Sequence, residues 1–169
     1  MQINGQISGD LMKIAKKWKP KSDTTESTAT MDFYLGRAEI KKIFGETVET
    51  LAFSSIVEKT YEDGESNVMV LQDVIKPGKR IVTTNHIIRF DDIGRVKGFP
   101  VIENIKPVVR AGHEQQAIIR LVIPLDTIIS GFETNFMGYV GTMITLSFTP
   151  TQLELGLGTD TEKWEEERV

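Results

Sequence analysis

The chain has 169 residues, 40% of them hydrophobic and 26% charged, with a formal net charge of −4. That length suits one domain with a real core, and that composition is too apolar for wholesale disorder. It contains no cysteine and only two histidines, His86 and His113, which removes disulfides, thiolate metal sites and thiol nucleophiles and leaves little for imidazole ligation.

Near the start, Leu11, Ile14, Ala15 and Trp18 fall at i, i+3, i+4 and i+7 with Lys13, Lys16 and Lys17 between them, and Pro20 ends the run. This spacing predicts a basic amphipathic helix within residues 1–21. Residues 22–30, "SDTTESTAT", carry no large apolar side chain and read as a polar connector. From 31 to 157 the pattern is that of an α+β core domain. Ile40, Ile43 and Phe44 share a helical face that Gly45 can terminate.

Two β-rich arms then flank Asp63-Gly64, the dipeptide that most readily supplies the positive φ angles of a hairpin turn. Pro77-Gly78 reverses the chain before "RIVTTNHIIRF", and Asp91, Asp92 and Gly94 reverse it again. "QAIIRLVIPL" has the density of Ile, Leu and Val expected of a central strand buried on both faces. A short helix starting near Asp126 and a last strand, "TMITLSFTP", complete the core. The expected class is α+β, a mainly antiparallel sheet or partly open barrel with two or three short helices. Residues 158–169 form an acidic tail.

No run is apolar enough for a membrane span, and the first residues lack the charged-then-apolar order of a secretory signal, so the cytoplasm is the expected compartment and no membrane partner is expected. Neither a Gly-x-Ser-x-Gly elbow nor a glycine-rich phosphate loop occurs. No cofactor or metal is expected. Asp32 with Glu39-x-Lys41 offers the residue types of a metal-dependent nuclease. A Glu-x-Lys pair, however, projects to one side only in a strand, and this segment reads as helix. His113-Glu114 offers an acid–base pair whose members alternate across an extended chain, and His86 reads as a hydrogen-bonded structural histidine.

Lys76, Lys79, Arg80, Arg89, Arg95, Lys97, Lys106 and Arg110 concentrate in the middle of the chain, with Phe90 and Phe99 nearby. Cations neutralise phosphates and rings stack on bases, so Lys79, Arg80, Arg89, Arg95 and Lys97 are the candidate nucleic-acid contacts. The competing expectation is a solvated sheet face whose charges pair with Asp91, Asp92 and Glu103.

Gln152-Leu153-Glu154-Leu155-Gly156-Leu157 resembles the bacterial sliding-clamp-binding peptide, whose six-residue form looks like Gln-Leu-x-Leu-x-Leu. The resemblance covers six residues and implies Gln152 as the polar anchor and Leu153, Leu155 and Leu157 as apolar anchors in a groove of the partner. The same leucines also continue the period-2 rhythm of the preceding strand. The sequence therefore points to a non-enzymatic binding protein, an accessory to DNA replication, repair or recombination of the kind a phage or other mobile element carries. An inhibitor that binds a host protein through a sheet edge is the second reading, and a nuclease the third.

Overall fold

The computed structural model describes residues 1–20, 24–60, 62–64, 66–110, 112–125 and 136–151. In chain order the elements are β1 (Gly5–Lys19), β2 (Thr24–Gly36), α1 (Arg37–Phe44), α2 (Glu46–Ala52), β3 (Ile56–Thr60), β4 (Ser66–Val70), a 3-10 turn (Gly78–Arg80), β5 (His86–Phe90), β6 (Gly94–Gly98), β7 (Val101–Val108), β8 (Gln116–Pro124) and β9 (Met143–Pro150). Seven strands form one antiparallel sheet in the order β6-β5-β9-β1-β2-β8-β7, and β3 and β4 form a separate hairpin. The α+β class and the mainly antiparallel sheet match the sequence reading.

The expected N-terminal helix is instead strand β1. Its register against β2 shifts between Leu11 and Lys13, so Met12 is an extra residue in a β-bulge. Ile7 and Leu11 face the core before the bulge, and the inserted residue brings Ile14 back to that face. A strand interrupted in this way spaces its apolar residues by four and then three, which imitates a helix.

The expected connector is also strand over Thr24–Thr30. This threonine-rich run pairs with β1 throughout and with β8 from Thr28 on, and its β-branched side chains suit a pleated surface. β8, expected as a central strand covered on both faces, lies second from an edge. Ala117, Ile119, Leu121 and Ile123 are buried while Ile118 and Val122 are half-buried on the other face. Of "RIVTTNHIIRF" only His86–Phe90 forms a strand. The helix expected from Asp126 lies outside the described residues.

The inner face of the sheet is covered by α1 (Ile40, Ile43, Phe44), α2 (Val48, Ala52) and Ile75, all buried. The outer face has no helical cover among the described elements. β6 and β7 form opposite edges, yet only Phe99 and Pro100 separate them in the chain. Seven strands laid flat would set the edges roughly 29 Å apart, whereas Gly98 to Val101 spans at most about 11 Å. The sheet must therefore roll until its edges meet at one corner.

At that corner a Cβ on Gly98 would lie 2.8 Å from Cγ of Pro124. No β6–β7 ladder closes it, so the sheet is open rather than a barrel. The covered edge is β7: Ile75 and Ile105 exchange two backbone hydrogen bonds of 2.8 Å, which blocks further pairing there.

Candidate nucleic-acid interface

Strand pairing fixes which residues share the outer face. On β5, Ile88 and Phe90 point inward and are buried, which leaves Ile87 and Arg89 outward. Arg89 lies directly opposite Arg95 of β6 and, on its other side, opposite Ser147 of β9, which in turn faces Gln6 of β1. The next row is Lys97, Ile87 and Thr149. Arg95, Lys97 and Arg89 are exposed, and Ile87, Arg95, Val96 and Lys97 line a shallow depression of about 300 Å³.

Among the described residues, neither Arg89 nor Arg95 forms an ion pair with Asp91, Asp92 or Glu103, the partners a solvated-face reading requires. Asp91 and Asp92 occupy the hairpin tip instead, where Asp92 takes φ 65° and Asp91 donates its backbone N–H to Thr145. The Arg89–Arg95 pair lies one step from that tip, and Lys97 lies toward the open, Gly98 end of the hairpin. There Phe99 is 57% exposed, whereas Phe90 is 1% exposed and packs edge-on against Phe136, with ring centroids 4.6 Å apart. Of the two aromatic candidates only Phe99 can reach a ligand.

The remaining cations do not join this group. Lys79 and Arg80 sit in the 3-10 turn, where the Arg80 guanidinium donates to the Pro77 and Lys76 carbonyls at 3.3 and 3.2 Å. Arg80 borders depressions beside Phe44, Glu46 and Thr47, on the helix-covered side of the sheet. Lys106 lies on β7 at the opposite edge.

Farther along the outer face, Ser8 and Thr145 hydroxyls bond at 2.7 Å, and Tyr34 donates to Gln116 at 2.7 Å. Sequence reasoning placed Thr145, Ser147 and Thr149 on the last strand without assigning them to the site. Their signal was the polar phase alternating with Ile144, Leu146 and Phe148.

The acidic candidates for metal chemistry are used structurally. Arg120 grips Asp32 in a bidentate pair, Nε to Oδ1 at 2.7 Å and Nη2 to Oδ2 at 2.9 Å, and that hydrogen bonding raises the Arg120 pKa. Glu39 sits on α1 and accepts the Gly36 N–H. Among the described residues no three His, Asp or Glu converge as a metal site. His113 and Glu114 lie exposed in the turn before β8.

His86 is fully buried. Its Nε2 accepts the Ile3 N–H at 2.9 Å and its Nδ1 lies 2.7 Å from the Thr84 carbonyl. An N–H can only donate and a carbonyl only accept, so the ring is neutral with its proton on Nδ1. Burial lowers its pKa, against the opposing effect of the Thr84 bond. Gln152, Leu153, Leu155 and Leu157 lie outside the described residues, which end at Thr151, whose N–H bonds the Asn85 carbonyl at 3.1 Å.

Comparison with protein families, with curated proteins and with solved structures finds no match for this chain. Among the described residues no helix is long and apolar enough to cross a membrane.

Proposed function

We propose that this is a cytoplasmic binding protein, an accessory to DNA replication, repair or recombination, that holds a nucleic-acid backbone against the outer face of the β5–β6 hairpin. The observation that carries this reading is the direct opposition of Arg89 and Arg95 with no carboxylate paired to either among the described residues. Like charges directly opposite each other weaken a sheet. A phosphate seated between two guanidiniums relieves that repulsion with charge-assisted hydrogen bonds. Lys97 supplies a third cation, Ser147 and Thr149 supply hydroxyl donors, and the exposed Phe99 ring supplies a stacking plane.

Three phosphate contacts on a single strand correspond to a slope of log affinity against log salt of about −2. Binding therefore weakens roughly 20-fold between 50 and 200 mM NaCl. The test is fluorescence anisotropy with a labelled oligothymidylate. Arg89→Ser with Arg95→Ser should lose at least about tenfold in affinity at 50 mM NaCl and flatten the slope to about −0.7. Absence of wild-type binding at 50 mM, or equal binding by the variant, overturns the proposal. The hexapeptide from Gln152 to Leu157 adds a clamp-docking function to this reading. Its test is whether a Pro150–Gly158 peptide competes for a sliding clamp and fails to do so with Gln152→Ala.

One observation favours a second reading, an inhibitor that binds a host protein. Ile75 covers the β7 edge, while β6 has no strand or bridge on its far side among the described residues. An extended peptide from a protein partner would add there as a strand, and its capture would be insensitive to nuclease.

A further inference from the structure

The charges of the chain are unevenly divided. Glu154, Asp160, Glu162, Glu165, Glu166 and Glu167 stand against Lys163 and Arg168 in residues 152–169, so this segment holds the whole net charge of −4. Residues 1–151 are balanced, with 18 basic and 18 acidic side chains, counted by removing the segment's 2 basic and 6 acidic residues from the chain's 20 and 24.

The fold delivers that acidic segment beside the basic hairpin. Pro150, near the end of β9, is opposite His86, and His86 is opposite Gly98, the residue after Lys97. The chain therefore leaves the sheet two strands, about 10 Å, from the β6 edge. It does so at the end carrying Lys97 and the exposed Phe99, away from the Asp91–Asp92 tip. Eleven residues from Thr151 to Glu162 reach up to about 36 Å, several times the distance required.

We propose that the acidic segment around Glu162–Glu167 seats on the outer face of β5–β6, its carboxylates against Arg89, Arg95 and Lys97, and competes there with nucleic-acid phosphates. The inference rests on the reading of this face as an anion site. Carboxylates and phosphates are both bidentate acceptors for guanidinium, and Trp164 within the acidic run offers a ring face to an arginine. Tethering makes the contact intramolecular, at an effective concentration on the order of 1 mM. A segment whose free peptide binds with a Kd of about 0.1–1 mM then lowers the apparent affinity for an oligonucleotide by roughly two- to tenfold.

The absence of cysteine gives a clean test on the full chain. A nitroxide attached through Val169→Cys, which leaves every acidic residue in place, should broaden the amide resonances of Arg95, Val96 and Lys97 at 50 mM NaCl. Those resonances should recover at 500 mM. Broadening centred instead on Lys13–Lys16, or no broadening, overturns the proposal.

Neutralising Glu162, Glu165, Glu166 and Glu167 to Gln in the full chain should tighten oligothymidylate binding two- to tenfold at low salt. Unchanged affinity in a chain that does bind also overturns the competition. If neither chain binds oligonucleotide while the salt-sensitive broadening of β6 persists, the nucleic-acid reading fails and the intramolecular contact stands.

Discussion

Replacing Gly9 by Ala tests how tightly the rolled sheet is built. Gly9 lies on the inner face of β1, and a Cβ there would stand 2.4 and 2.6 Å from Cδ1 and Cε1 of Phe33 and 2.8 Å from the Asp32 carbonyl oxygen. Ordinary carbon contacts are about 3.5–4.0 Å, so the ring must retreat by about 1 Å. Phe33 is fully buried, and the backbone at Asp32 is fixed by ladders to Asp10 on one side and Arg120 on the other.

Overpacking of this kind costs about 1–3 kcal/mol. The smaller conformational entropy of Ala in the unfolded chain offsets about 0.4–1 kcal/mol of that. The net expectation is a loss of about 1–2 kcal/mol, read in urea unfolding at 25 °C as a midpoint lower by about 0.5–1 M with an unchanged slope. In a thermal scan the midpoint should fall by about 3–6 °C. Gly9→Ala combined with Phe33→Leu should lose less than the sum of the two single changes, because the smaller side chain vacates the space the new methyl needs. A Gly9→Ala protein as stable as the parent, or more so, would refute the close approach of Phe33.

Further outcomes follow from the outer face and the buried histidine. Arg95→Thr removes one of two opposed cations and should raise stability by about 0.2–1 kcal/mol in urea while weakening oligonucleotide binding. A loss of stability would mark the pair as structural rather than ligand-binding. The neutral His86 should confer pH dependence: its folded pKa lies below the unfolded value of about 6.5, so its contribution is complete above that pH and is lost as pH falls through the window between the two. His86→Gln, whose amide keeps one donor and one acceptor, should flatten the difference in urea midpoint between pH 7 and pH 5. An equally steep dependence in the variant would assign the effect to another group.

Much of the local structure was legible because its causes are local. Gly64 takes φ 84° in the β3–β4 turn, and Gly45 takes φ 92° at the end of α1, as the Asp-Gly dipeptide and the Ile40-Ile43-Phe44 face implied. The failures came from causes that local pattern does not carry. The bulge at Met12 gave β1 a helical spacing, and the threonine run of β2 is held in the sheet by pairing with β1 and, from Thr28 on, with the distant strand β8. The site divides in the same way. Arg89 and Arg95 meet because a hairpin six residues apart requires it, whereas Ser147 arrives from another strand far along the chain. Arg80, only nine residues before Arg89, is carried to the other side of the sheet by the 3-10 turn.

The position of β1 between β2 and β9 also sets a timetable for synthesis. β2 follows it almost at once, but the strand that completes its other ladder is residues 143–150. At usual translation speeds the interval is on the order of ten seconds. Throughout it the backbone groups of residues 5–10 on that side have no native partner, and the apolar flank of Ile7 lacks its neighbour Leu146. Until residues 143–150 emerge, a nascent chain of this design carries an open edge at the middle of its future sheet. Shielding of that edge by a chaperone would matter more to yield than the equilibrium stability of the finished molecule.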